Sequence, residues 1–382
     1  MLKIAVGRAI QLFLKRDWIM RGAKVHSIKR AESGASNPVT GGHRFVFLDG
    51  LRGMAAICVL VFHIVQQQSL TALPNAGLAV DFFYVLSGFV IAFAYDQRIR
   101  DGSLSLRQFG LARLRRLYPL LALATLLGFV IFLGGVFIKH TVTLRDALFA
   151  LVLALMLLPS YVFPQWATAF PLNMAAWSLA FEAYVNIIYA TIAKRLSNNI
   201  LSGLVALGAA LEIANAVRLG GISGGNDQGN FVLGFARVIY PFFCLILICR
   251  LPRRQELPRF IGYILAISLP IVLLAEPTQN QYYGMFLVLF YFPALVYFGS
   301  VVEVNATQAT VLRWLGEISY PVYILQAPVI RLGAEILRHV KLSYIAVVSF
   351  SVAEILLSLA VAQAAVRYFD RPVQEYLKKR VR

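Results

Sequence analysis

Apolar residues gather along this chain into long stretches broken by short polar connectors. Eleven stretches fall at roughly 54–70, 77–95, 117–138, 144–160, 175–193, 198–217, 230–249, 258–275, 281–301, 318–334 and 342–366. Most approach the ~20 residues that an α-helix needs to cross about 30 Å of hydrocarbon. A soluble protein would show charged faces between its core stripes, and most of these stretches carry none. The pattern predicts an all-α fold, a polytopic transmembrane helix bundle of about ten spans plus one re-entrant or interfacial segment. Residues 33–41 (SGASNPVTG) read as a linker. No internal repeat and no second soluble domain is visible.

Composition agrees: 59% of the 382 residues are hydrophobic and only 14% charged, against about a quarter charged in ordinary soluble domains. The net charge of +18 does not point to nucleic acid, because the basic residues sit in connectors and at the two ends. That placement marks cytoplasmic loops. Residues 96–116 hold six arginines and are expected inside, as are Lys194-Arg195 and residues 250–259 (RLPRRQELPR). With both ends basic and cytoplasmic, the number of crossings is even. One of the stretches 117–138 and 144–160 should then fail to cross, since irregular backbone at membrane depth needs protein or a wet cavity around it. The expected layout is a basic cytoplasmic tail over 1–43, a membrane domain over 44–372 and a basic cytoplasmic tail over 373–382. Within the first tail, Ile4 to Arg16 reads either as a helix lying on an anionic membrane face or as a disordered segment. No cleavable signal is expected. Cys58, Cys244 and Cys249 lack metal spacing and read as small apolar fillers.

Ionisable residues inside spans are costly and need partners or a function. Away from segment ends they are His63, Asp81, Glu182, Glu212, Arg237, Arg331 and Glu354. Arg52 and His63 lie eleven residues apart, which on a helix returns to within about 20° of one face after a rise of roughly 16 Å. Both are expected to look into one cleft, a guanidinium at its mouth and a proton-exchanging imidazole deeper. The alternative for His63 is a hydrogen bond between helices. Asp81 is read either as orienting the imidazole, as the third member of a triad does, or as an acid at a helix N-terminus. Ser87-Gly88 is read as a close-packing site rather than a nucleophile. Glu182 is a proton handler or half of a buried pair, with Arg237 as the candidate partner. Arg113 and Arg116 are either membrane anchors beside Tyr118 or a clamp for phosphates, which guanidinium forks suit.

Five stretches occur in order: FLDGLRGMAAICVLVFH (47–63), AVDFFYVLSGFVIAF (79–93), FGLARLRRLYPL (109–120), AAWSLAFEAY (175–184) and LGEISYPVYIL (315–325). Together they resemble membrane acyltransferase family 3, the O-acyltransferases related to bacterial O-antigen and exopolysaccharide acetylases. The resemblance runs from about Arg44 to Pro372. It implies a bundle of about ten helices in a bacterial inner membrane. It further implies that an acyl group, acetyl by preference, passes from cytoplasmic acyl-CoA to a glycan hydroxyl at the outer face, with no metal. By that pattern His63, Asp81 and Glu182 are catalytic candidates. Arg52, Arg113 and Arg116 bind the phosphates of the donor. The sequence departs from the pattern at Gln326, where many relatives have histidine, and at Asp370, where glutamate is usual. A fused extracytoplasmic hydrolase-like domain has no counterpart in these residues, so transfer is expected to be finished by the membrane domain or by a separate extracytoplasmic partner. A transporter or flippase for a lipid-linked glycan would also use buried charges and a re-entrant segment, and an inactive assembly subunit is a third reading. The expected partners are membrane lipid, acyl-CoA and a glycan, without nucleic acid.

Overall fold

A computed structural model describes residues 45–68, 70, 73–251, 257–275, 280–340 and 343–379. The expected amino-terminal tail, the tip of the 250–259 loop and the last three residues lie outside that set. Eleven helical segments follow one another among the described residues. They are α1 (Val46–Gln67), α2 (Asn75–Arg100), α3 (Leu106–Phe137), α4 (Leu144–Leu155), α5 (Ala176–Ile192), α6 (Asn198–Leu219), α7 (Gln228–Cys249), α8 (Arg259–Leu274), α9 (Gln281–Gly299), α10 (Ala306–His339) and α11 (Tyr344–Lys379). The only extended pairings among these residues are two isolated β-bridges, so the all-helical expectation holds. Among the described residues seven helices are long and apolar enough to cross a membrane: α1, α2, α3, α6, α7, α9 and α11.

Helices overrun the apolar stretches that announced them. α3 begins at Leu106 rather than near 117, because Ser105 and Gln108 form a capping box: the Gln108 amide donates to Ser105 Oγ at 3.2 Å and the Ser105 amide to Gln108 Oε1 at 2.9 Å. Asn305 and Gln308 start α10 in the same manner. The shortest of the eleven is α4. Its 12 residues rise about 18 Å, whereas the 32 residues of α3 rise about 48 Å. α4 lays Ala147, Ala150 and Ala154 against a cluster that includes Phe132 and Val136 of α3, and leaves Leu148, Phe149 and Val152 exposed.

α1, α2 and α7 form the centre and α6 and α11 the periphery: 72% of the apolar window of α2 is buried, against 22% for α11. α1 and α10 run parallel. Arg52 bonds Ser319 at one level, and Gln67 bonds the Ile330 carbonyl three to four turns on. Their backbones touch at Gly53, where a Cβ would lie 2.4 Å from the Leu315 carbonyl oxygen.

Helix-interior prolines free a carbonyl four residues back, and in a bilayer that oxygen needs a protein donor. Three such donors reach across from other parts of the chain. Tyr240 donates to Leu289 O at 2.5 Å (before Pro293), Asn173 to Ile324 O at 3.0 Å (before Pro328) and Gln374 to Arg115 O at 2.7 Å (before Pro119).

Candidate functional site

A cavity of about 120 Å³ opens between α1, α2, α3, α5 and α10. Its charged lining is Arg52, Arg113, Arg116 and Glu182, and its hydroxyls come from Tyr84, Ser87, Ser178, Ser319, Tyr320 and Tyr323. Arg52 is fixed by three groups: Nε donates to Ser319 Oγ at 2.8 Å, and Nη2 to Gly316 O at 2.9 Å and to Asp49 at 3.0 Å. Arg113, buried, makes a short ion pair with Glu182 Oε1. Arg116 is exposed to the cavity and has no hydrogen bond or ion pair among the described residues. Asp49 pairs with Arg52 and Glu182 with Arg113, whereas Arg116 makes no bond among the described residues and feels the Asp370 carboxylate only at longer range. Low-dielectric walls strengthen the field of such a guanidinium.

On the same wall, Ser87 Oγ donates to Glu182 Oε1 at 2.8 Å, and Ser178 Oγ meets the Tyr323 hydroxyl at 2.6 Å. A second, apolar groove of about 300 Å³ between α3 and α5 shares Arg113, Leu117 and Leu179 with the cavity. Asn186 lines it, 3% exposed, with neither amide atom partnered among the described residues.

Two pairings differ from those read in the sequence. Glu182 pairs with Arg113, and Arg237 pairs instead with Asp81 through two bonds, Nε to Oδ1 at 3.1 Å and Nη2 to Oδ2 at 2.6 Å. Asp81 is fully buried, and Arg237 also donates to Gly224 O at 3.2 Å and lies 5.2 Å from the Trp177 ring. The carboxylate is thus taken up in clamping α2 to α7 and makes no bond to His63. The reason is azimuth. Asp81 and Gly88 are seven residues apart and share the face toward α7, where a Cβ on Gly88 would lie 2.2 Å from Phe242 O. Ser87 is turned about 100° from Gly88 and faces the cavity, so only the second half of the Ser-Gly pair is a packing site. Glu212, fully buried on α6, has both carboxylate oxygens unpartnered among the described residues.

His63 is not among the residues that line the arginine cavity. Its ring lies 4.8 Å from that of Phe62, and it makes no hydrogen bond among the described residues. Phe83 lines the cavity, meets Tyr323 edge-on at 5.5 Å, and packs against the cluster that contains Leu60 and Ile64. Gln326 is 2% exposed and donates to Tyr323 O at 2.9 Å, with its own oxygen unpartnered. Glu354 accepts from Gln68 at 3.0 Å, and Arg331 donates to Pro171 O at 2.7 Å. Among the described residues no three His, Cys, Asp or Glu side chains gather as metal ligands do.

A family profile described as an acyltransferase domain, acyltransferase 3, matches residues 45–367. A protein called "Protein 2 in picA locus" from Rhizobium radiobacter is 38% identical over 157 residues, which is 38% of this chain and 81% of that protein. Peptidoglycan O-acetyltransferase OatA from Listeria monocytogenes is 37% identical over 73 residues, 19% of this chain and 11% of that protein. No solved structure matches.

Proposed function

Because the chain belongs to the acyltransferase 3 family, whose profile spans residues 45–367, we propose that it takes an acyl group from cytoplasmic acyl-CoA and esterifies a hydroxyl of a cell-envelope or exported glycan. Family membership makes it a membrane acyltransferase of groups other than amino-acyl groups. Acetyl as the group and a glycan as the acceptor draw support from the Listeria relative, whose name states peptidoglycan O-acetylation.

The observation that carries the donor assignment is the guanidinium of Arg116, without a hydrogen bond or ion pair among the described residues, in a cavity that also presents Arg52 and Arg113. A donor bearing several phosphates supplies the counter-charge, and guanidinium forks match phosphate oxygens two at a time. His63, which is not among the residues lining the arginine cavity, serves the acceptor: its imidazole takes the proton of the attacking hydroxyl. Glu182 handles protons within the cavity. Asp81 acts by holding α2 against α7. In this reading the protein sits in a bacterial inner membrane with both ends in the cytoplasm. The acceptor is reached from the outer face, directly or through a separate extracytoplasmic transferase.

The direct test is incubation of the purified protein with [14C]acetyl-CoA and candidate glycans, followed by separation of products. Label on glycan supports the assignment; label that stays wholly on CoA, with every acceptor offered, removes it. Mass spectrometry of surface polysaccharide from cells with and without the protein identifies the acceptor.

A further inference from the structure

We propose that Ser87 is an acyl carrier: its Oγ takes the acyl group from the donor and holds it as an ester in the arginine-lined cavity before the acceptor receives it. This rests on the acyl-donor reading above and adds a covalent step to it. Ser87 Oγ lies 2.8 Å from Glu182 Oε1, within the range for a nucleophile and its general base. Glu182 is in turn held by Arg113, the third group that orients a base. Arg52 and Arg116 line the same cavity, so their positive charge favours a tetrahedral oxyanion formed there.

The other cavity hydroxyls are committed elsewhere. Ser319 donates to Gly316 O while accepting from Arg52, Tyr320 donates to Leu117 O, Tyr84 to Ser178 O, and Ser178 and Tyr323 bond each other. Among the described residues, Ser87 is the one hydroxyl in the cavity that is paired with a carboxylate. His63 lies outside this cavity, which leaves the donor side without an imidazole and separates the reaction into two stages.

In the first stage the Ser87 oxygen attacks the thioester carbonyl. A C–O bond forms, the C–S bond breaks, and the serine proton passes through Glu182 to the departing thiolate, so CoA leaves as a free thiol. In the second the acceptor hydroxyl attacks the acyl-serine. Its proton goes to His63 and on to water, and Ser87 Oγ is reprotonated through Glu182 as the ester bond to serine breaks. Nothing is oxidised or reduced.

A serine bonded to a carboxylate across two helices only for packing would leave no covalent trace, so the test reads covalency. The purified full chain is incubated with [14C]acetyl-CoA without acceptor, then denatured and digested. The expected result is label on the peptide containing Ser87, stable to neutral hydroxylamine and released by alkali. Ser87→Ala should lose the label, and with it acetyl-CoA:CoA exchange by on the order of 100-fold, at an unchanged melting temperature. Ser87→Cys should carry label that neutral hydroxylamine removes, as expected of a thioester. His63→Ala should keep the label and fail to pass it on. If the native enzyme acetylates glycan but is never labelled, or if Ser87→Ala still labels and exchanges, Ser87 is not the carrier and the acyltransferase reading stands. If the native enzyme neither labels nor acetylates any acceptor, the donor reading fails first and takes this step with it.

Discussion

At the scale of single residues, charge balance and burial decide what each ionisable group can do. Arg116 has solvent-facing surface and no protein partner among the described residues, so it can be exchanged without harming the fold. Arg116→Ala should raise the KM for acetyl-CoA about tenfold, the worth of one charge-assisted hydrogen bond, while the melting temperature in detergent stays put. Asp81 is the opposite case. Its side chain is fully buried, and that of Arg237 is 6% exposed. Asp81→Asn leaves a guanidinium short of its counter-charge at membrane depth, which costs about 3–5 kcal/mol. The expected outcome is a large fall in melting temperature and in accumulated protein; a variant that is stable but inactive would mean Asp81 belongs to the chemistry instead. His63→Ala should accumulate in the membrane normally and lose glycan acylation by at least on the order of 100-fold. Retained turnover in that variant would remove the imidazole from the mechanism.

At the scale of helices, the bundle is fixed by backbone contacts and by donors aimed at freed carbonyls. α1 can lie along α10 because Gly53 has no side chain, and the group it would strike is backbone, the Leu315 carbonyl oxygen at 2.4 Å. A methyl there cannot be relieved by rotating a side chain. Gly53→Ala should therefore separate the two helices that carry Arg52 and Ser319, lowering both stability and donor affinity, whereas alanine at Gly110, which meets nothing within 4 Å, should be silent. Asn173 gives a second measure. Its amide answers the carbonyl left open by Pro328, and Asn173→Leu strands that oxygen in a low-dielectric interior at about 1–3 kcal/mol. Thermal unfolding of the two variants against the native chain checks both expectations.

At the scale of the whole molecule, the placement of α4 governs the topology. A 12-residue helix of about 18 Å does not reach across about 30 Å of hydrocarbon. The loop before α3 and the loop after α4 should then lie on opposite sides. Single cysteines placed at Asp101 and at Tyr161, in a chain with its three native cysteines replaced, give the test with an impermeant maleimide. The first should label only after lysis and the second in intact cells. Labelling of both from the same side would mean that α3 and α4 cross as a pair and would overturn the two-sided arrangement.

The order of apolar stretches was enough to establish an all-helical membrane bundle, since spanning length and hydropathy are local properties summed along the chain. The same holds for the five ordered motifs that resemble the family; Arg52, Arg113, Arg116 and Glu182, singled out within them, are gathered by the fold around one cavity. Partnership was not legible. Arg237 goes to Asp81 rather than Glu182, Ser87 faces the cavity while Gly88 faces α7, and His63 does not line the cavity that Arg52 lines, eleven residues away on the same helix. Helical spacing gives the angle between two residues on one helix, but not which neighbour occupies that angle. The neighbour is chosen where backbones can approach, as at Gly53 and Gly88, and that is a property of packed helices rather than of any one of them.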